Sequence, residues 1–306
     1  MDTEKKIKQK ALQLGYTSCG IIPSGVLGDY AKYLDERITS FPESKDLYSN
    51  MYNIVSQPEN VKSIIVCLSK YTHYKIPNNL NGFYGKYYLF DRRLPYTQEY
   101  RAKTEFEVFL NILGLNIIPC GIPERLAAAK AGLGKFGRNN FIYSSEHGSY
   151  IAIDAWAVDA LLNCDQVQND IHLPECTDNC NRCIEACPAK ALSGAYSMDM
   201  GKCITRLNTN AQSSLNEHIE AQMGTWLYGC DLCQDACPLN NNKFRETEEF
   251  PLLKDFEELL KPENILSMNE EAFINVVHPR FWYIGKDNFW YWKNNALRCI
   301  KNSISG

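Results

Sequence analysis

The chain has 306 residues, 45% of them apolar and 22% charged, with a formal net charge of -4. That length supports a sizeable core shared between two or three domains, and the acidic balance lacks the basic surplus of a surface that tracks phosphates. No stretch approaches eighteen apolar residues, and the opening MDTEKKIKQKALQLGY lacks the unbroken apolar run of a signal peptide, so a cytoplasmic protein with no membrane span is expected.

Residues 3–14 and 98–113 space their apolar groups helically, whereas SIIVCL (63–68), LNIIPCG (115–121) and SYIAIDAWAV (149–158) are rich in β-branched and aromatic residues and read as strands. Residues 1–165 therefore form an α+β domain. Within it, PERLAAAKA is a helix former with Pro123 near its first turn and Gly132 as its cap. The following GLGKFG (132–137) matches G-x-G-x-x-G, but it follows a helix where a dinucleotide loop follows a strand, so the fingerprint is declined. Its glycines imply that backbone comes close to something, either a neighbouring segment or a bulky cofactor. Lys135, Arg138, Asn139 and Asn140 add polar groups to that loop.

From 166 to 244 the character changes to short segments punctuated by Cys, Asn, Asp and Pro, too poor in apolar residues for a core unless metal supplies cross-links. This is a metal domain. Residues 245–306, rich in Glu, Leu and aromatics, should be helical and packed on the body, since FWYIGKDNFWYWKNNALRCI left exposed would form an unusually large apolar patch.

Eight of the thirteen cysteines lie between 176 and 237, and in a reducing compartment that density points to metal ligation. C-x2-C-x3-C-P occurs twice, at 180/183/187/188 and 230/233/237/238. In two-cluster ferredoxins the Cys before Pro reaches across to the other [4Fe-4S] cluster. Applied here, Cys176, Cys180, Cys183 and Cys237 hold one cluster, and Cys203, Cys230, Cys233 and Cys187 the second. The alternative is a pair of four-cysteine zinc sites, which need only tetrahedral thiolates. Asp178, Glu185, Asp231 and Asp235 stand inside or beside the motifs, with Arg182 the main opposing charge, so low cluster potentials are expected. Cys19, Cys67, Cys120, Cys164 and Cys299 read as buried structural cysteines.

The order PERLAAAKAGLGKFGRNNFI, GSYIAI, the first cysteine motif, KCITRLN and MGTWLYGCDLCQDACPLN resembles the epoxyqueuosine reductase family over about residues 115–245. The resemblance implies a nitroreductase-like α+β domain that holds cobalamin base-off, a ferredoxin-like double-cluster domain, a short helical tail, and kinship with reductive dehalogenases. It turns the glycine loop into a cobalamin contact, with Arg125, Gly132, Gly134, Lys135, Gly137 and Asn139 as the candidates. An Asp-x-His-x-x-Gly cobalamin motif is not present, since Asp170 and His172 are followed by Leu-Pro-Glu. Family members carry a G-R-D-Y-H-like segment whose Asp donates a proton, and the counterpart GKYYL (85–89) puts Tyr87 in that place. Asp91 is the second candidate, with an ion pair to Arg92 or Arg93 as its blander reading.

The implied activity is a reductase in which a low-potential donor such as ferredoxin or flavodoxin feeds two [4Fe-4S] clusters, then cobalamin, then a substrate. The alternative is an electron-transfer or activating protein that reduces the corrinoid of a partner. tRNA enters as a substrate through the family alone. Neither the charge nor the C-terminus supports it, because tRNA-modifying members often continue into HEAT-like repeats where this sequence stops at Gly306.

Overall fold

The computed structural model describes residues 2–55, 57–177, 179–211 and 215–305; Asp178 lies outside the described residues. Two compact units are present, and both are discontinuous in sequence. The first comprises 1–72, 98–181 and 194–199, the second 73–97, 182–193 and 200–306.

The first unit is α+β. Helix α1 (Thr3–Gln13) starts where the Asp2 carboxylate accepts the N–H groups of Glu4 and Lys5, satisfying donors the first turn leaves open. The strands β1 (Ser18–Pro23), β2 (Ser63–Lys70) and β5 (Ile151–Val158) form an antiparallel sheet in the order β1-β2-β5. Cys19 is opposite Cys67, and Ser63 is opposite Val158. Side chains alternate across a strand, and both faces of β2 are covered. Ile65 and Cys67 meet Ile7 and Ala11 of α1 and Phe106 and Leu110 of α2 (Gln98–Ile112). Ile64, Val66 and Leu68 meet the small-residue face of α3 (Glu124–Lys130), Ala127 to Ala129. Two covered faces explain why IIVCL (64–68) is an unbroken apolar run.

Residues 115–121, expected as a strand, make only an isolated bridge from Ile117 to Val158. Pro119 has no N–H to extend the ladder. The expected helix before the glycine loop is present, and Gly132 follows its cap Ala131 with φ +73°, its N–H bonded to Ala129 O at 3.0 Å. The short strands β3 (Lys135–Phe136) and β4 (Ile142–Tyr143) then pair as a hairpin.

The second unit is mostly helical around an aromatic core. Tyr84, Tyr228, Phe273, Phe281 and Trp292 are fully buried, with ring centroids of Tyr84 and Phe281, and of Phe281 and Trp292, 5.3 Å apart. A second core joins Leu207 of α4 (Ile204–Thr209) to Ala189, Met223 and Trp226. The closing helix α5 (Phe289–Ser305) buries Tyr291, Trp292, Asn295, Ala296, Arg298 and Cys299, the i, i+3, i+4, i+7 spacing of an inward face. Of the C-terminal aromatics Phe281, Tyr291 and Trp292 are buried, while Trp282, Tyr283 and Trp290 stay more than 40% exposed.

Candidate metal and redox site

Within the second unit, the thiols of Cys187, Cys203, Cys230 and Cys233 are mutual neighbours. Burial pushes the Cys203, Cys230 and Cys233 thiols up, and repulsion from the other members pushes them further. A set of thiols that resist ionisation alone becomes a strong donor set when a cation enters, because metal binding displaces the proton. Among the described residues no three Cys, His, Asp or Glu side chains converge within the span of a single metal ion. Both C-x2-C-x3-C-P motifs carry a single helical turn that begins one residue before their second Cys, Arg182–Glu185 in one and Leu232–Asp235 in the other. Cys176 and Cys180 belong to the first unit, and Cys183 and Cys237, both buried, to the second.

The loop leading to Cys230 is held by amides and a guanidinium. Asn208, fully buried, donates to Trp226 O at 3.0 Å and Gly229 O at 2.8 Å and accepts the Gly229 N–H at 2.8 Å. From α5, Arg298 donates to Gly224 O and Trp226 O, Asn295 to Asn208 O, and Asn302 to Glu220 O and Gly224 O. Tyr291 O–H also donates to Leu207 O. Such buried groups are satisfied only in one arrangement, which specifies the loop. None was singled out from sequence, although polar residues at 291, 295, 298 and 302 repeat at helical spacing on an apolar helix.

The GKYYL segment is bound to the same loop. Gly85 N–H donates to Tyr228 O at 2.9 Å and Lys86 N–H to Asp231 Oδ2 at 2.7 Å. The Lys86 ammonium lies 3.4 Å from Asp231 Oδ2 and 2.7 Å from Asp235 Oδ1. Burial alone would lower the Lys86 pKa, but the two carboxylates reverse this and raise it. Burial pushes the Asp231 carboxyl up to about 6 against the pull of Lys86. Tyr87 is 43% exposed, its ring edge-on to Tyr88 at 5.6 Å. Asp91 is buried, and Arg93 grips it through Nε at 2.7 Å and Nη2 at 2.5 Å. The Asp91 ion pair weighed from sequence is therefore present, with Arg93 as its cation.

In the first unit the glycine loop is explained largely by its own hairpin. A Cβ on Gly134 would lie 2.6 Å from Ile142 and 2.7 Å from Tyr143 O, and one on Gly137 2.5 Å from the Tyr143 ring. Lys135 pairs with Asp170 at 2.6 Å, and buried Asn139 donates to Tyr143 Oη at 2.9 Å. Arg125 stacks on Phe141 and donates to Asn140 O at 3.1 Å. Asn140, at φ +63°, accepts Arg37 Nη2 at 3.1 Å. Its Nδ2 is buried and has no hydrogen-bond partner among the described residues. Of the remaining cysteines, Cys67 and Cys299 are buried and Cys19, Cys120 and Cys164 half-buried. Cys120 donates to Gln57 Oε1 and Cys299 to Thr225 O, both at 3.0 Å. No described helix is long and apolar enough to cross a membrane.

Residues 175–240 match the model of a 4Fe-4S double cluster binding domain. Over 260 residues the chain is 27% identical to an epoxyqueuosine reductase of Leadbetterella byssophila, covering 81% of this chain and 84% of the relative. The solved epoxyqueuosine reductase of Streptococcus thermophilus aligns with a TM-score of 0.73 at 20% identity, over 99% of this chain and 82% of that one. An epoxyqueuosine reductase solved with an epoxyqueuosine-modified tRNA-Tyr stem loop aligns with a TM-score of 0.70 at 19% identity, over 98% and 81%. At those identities the two structures establish likeness of fold.

Proposed function

We propose, on the premise that this is an epoxyqueuosine reductase-like protein, that the chain is a reductase using two [4Fe-4S] clusters and cobalamin. In this reading Cys187, Cys203, Cys230 and Cys233 ligate one cluster and Cys176, Cys180, Cys183 and Cys237 the other. The observation that carries it is the gathering of Cys187, from the first motif, with Cys203, Cys230 and Cys233. That interleaving of ligands from both motifs suits a pair of ferredoxin-like cages, whereas a zinc site needs only four tetrahedral thiolates and no crossing between motifs.

Cobalamin would lie against the first unit, where the unspent Asn140 Nδ2 is a ready donor for a polar group and Arg125 and Arg37 hold that asparagine in place. Gly134 and Gly137 would contribute only by keeping the hairpin tight. When bound, cobalamin would supply a cobalt centre that passes electrons to the substrate, with the clusters supplying them. The chain's own work is then to hold a proton. Tyr87 is the donor in this reading, since its phenol carries an O–H that can donate. Asp91, engaged by Arg93 through both oxygens, serves as an anchor for its loop. The relative solved with the modified stem loop makes epoxyqueuosine-containing tRNA the first substrate to test, with a ferredoxin or flavodoxin as donor.

The test is anaerobic reconstitution with metal analysis and turnover on that stem loop. About eight iron per chain is expected from two four-iron cages, with cobalt bound and the substrate reduced. About two zinc with negligible iron would overturn the cluster assignment. Full clusters without cobalt uptake or turnover would make the chain an electron carrier instead.

A further inference from the structure

Asp231 and Asp235 sit within the second cysteine motif, one residue after Cys230 and two before Cys237. Asp231 is buried, and the side chain of Lys86 is only 12% exposed. Lys86 reaches both carboxylates, at 3.4 Å for Asp231 and at 2.7 and 2.8 Å for the two oxygens of Asp235. Its backbone N–H fastens to Asp231 as well. The backbone around it is close-fitted: a Cβ on Gly85 would lie 3.1 Å from Cys230 N, and one on Gly229, at φ +79°, would lie 2.4 Å from the Tyr88 ring. The ammonium is thus held by main chain and side chain against two negative charges that cannot leave the motif.

Cluster potentials respond to nearby charge, because adding an electron beside a carboxylate costs more than adding it beside a cation. In a site largely closed to water that response is screened less than on an open surface. We propose that Lys86 is a positioning residue that sets the reduction potential of the cluster held by Cys187, Cys203, Cys230 and Cys233, by opposing the charge of Asp231 and Asp235. This rests on the cluster assignment above. It adds that a residue 144 positions before Cys230 in sequence decides how readily that cluster accepts an electron.

The experiment is an EPR-monitored redox titration of the reconstituted full chain in three variants. Lys86→Met keeps the stem and removes the charge, and the reduced-to-oxidised ratio of one cluster at a fixed poise should fall about tenfold or more, 59 mV for a one-electron couple. Asp235→Asn removes one opposing charge at a 41% exposed side chain, so the same cluster should move the opposite way. Lys86→Arg should restore the wild-type value. Shifts of one sign in both Lys86→Met and Asp235→Asn, or no shift in either with iron fully incorporated, would overturn the proposal. If Lys86→Met fails to take up iron, the sign of the Asp235→Asn shift decides alone. Absence of two clusters in the wild-type chain would instead refute the underlying assignment.

Discussion

Asn208→Ala tests whether the amide network, rather than the cysteines alone, builds the second cage. The substitution removes three hydrogen bonds, two donated to Trp226 O and Gly229 O and one accepted from Gly229 N–H. Trp226 O keeps the Arg298 guanidinium at 2.7 Å, so the groups left wanting are the N–H and C=O of Gly229. At about 1 to 3 kcal/mol for each buried backbone group without a partner, the cost is about 2 to 6 kcal/mol. It falls one residue before Cys230, where Gly229 already needs a left-handed conformation and lies against Tyr88. The loop should therefore lose its register, and the cluster of Cys187, Cys203, Cys230 and Cys233 should be lost preferentially. The assay is iron content and EPR of the reconstituted variant, together with the urea concentration at which visible cluster absorbance disappears. Because metal release couples to unfolding, that midpoint is read as a comparison between variants and not as a two-state free energy. Asn208→Asp should be similarly damaging, since it keeps the acceptor but turns lone pairs toward two carbonyls. Full iron and a wild-type urea midpoint in Asn208→Ala would refute the reasoning.

Cys187→Ser should abolish the cluster shared with Cys203, Cys230 and Cys233 and leave about four of eight iron atoms; EPR loss confined to the other cluster would refute the crossing. Tyr87→Phe, at an exposed position, should keep iron and cobalt yet lower turnover by roughly 10² or more if the hydroxyl is the proton donor, and an unchanged rate would remove it from the mechanism. Gly134→Ala places a methyl 2.7 Å from Tyr143 O, so thermal unfolding should report destabilisation of about 1 to 3 kcal/mol from overpacking, with or without cobalamin. An unchanged midpoint would mean that the hairpin yields and that the glycine serves something else.

The ligand-rich motifs were legible from sequence because cysteine spacing is local information, and metal ligation demands that spacing wherever the chain goes. Helices 3–13 and 98–112 and strands 63–70 and 151–158 were legible because their apolar periods are long. The strand β1, SCGIIP, is not legible from sequence, since a six-residue run interrupted by Gly20 and closed by Pro23 carries little period of its own and is held in place by its pairing with β2. LNIIPCG failed the other way, its β-branched content outweighed by a proline that cannot donate.

Other features depended on contacts distant in sequence. Nothing local states that Lys86 takes Asp231 and Asp235, 145 and 149 residues away. In the glycine loop, the Tyr143 carbonyl and ring stand where a Cβ on Gly134 or Gly137 would go, a close approach that the glycines announce without naming the neighbour. Distant contacts also place Asn208 and Arg298, polar residues whose sequence context predicts only a cap or a solvated face. Their partners are backbone groups of a loop that acquires its shape only when α4 and α5 pack on it. Composition and spacing thus determined what this chain carries, cysteine ligands on an α+β frame. The tertiary structure decided which thiols are neighbours and which charges lie beside them, because packing alone brings residues so far apart in sequence within reach of one another.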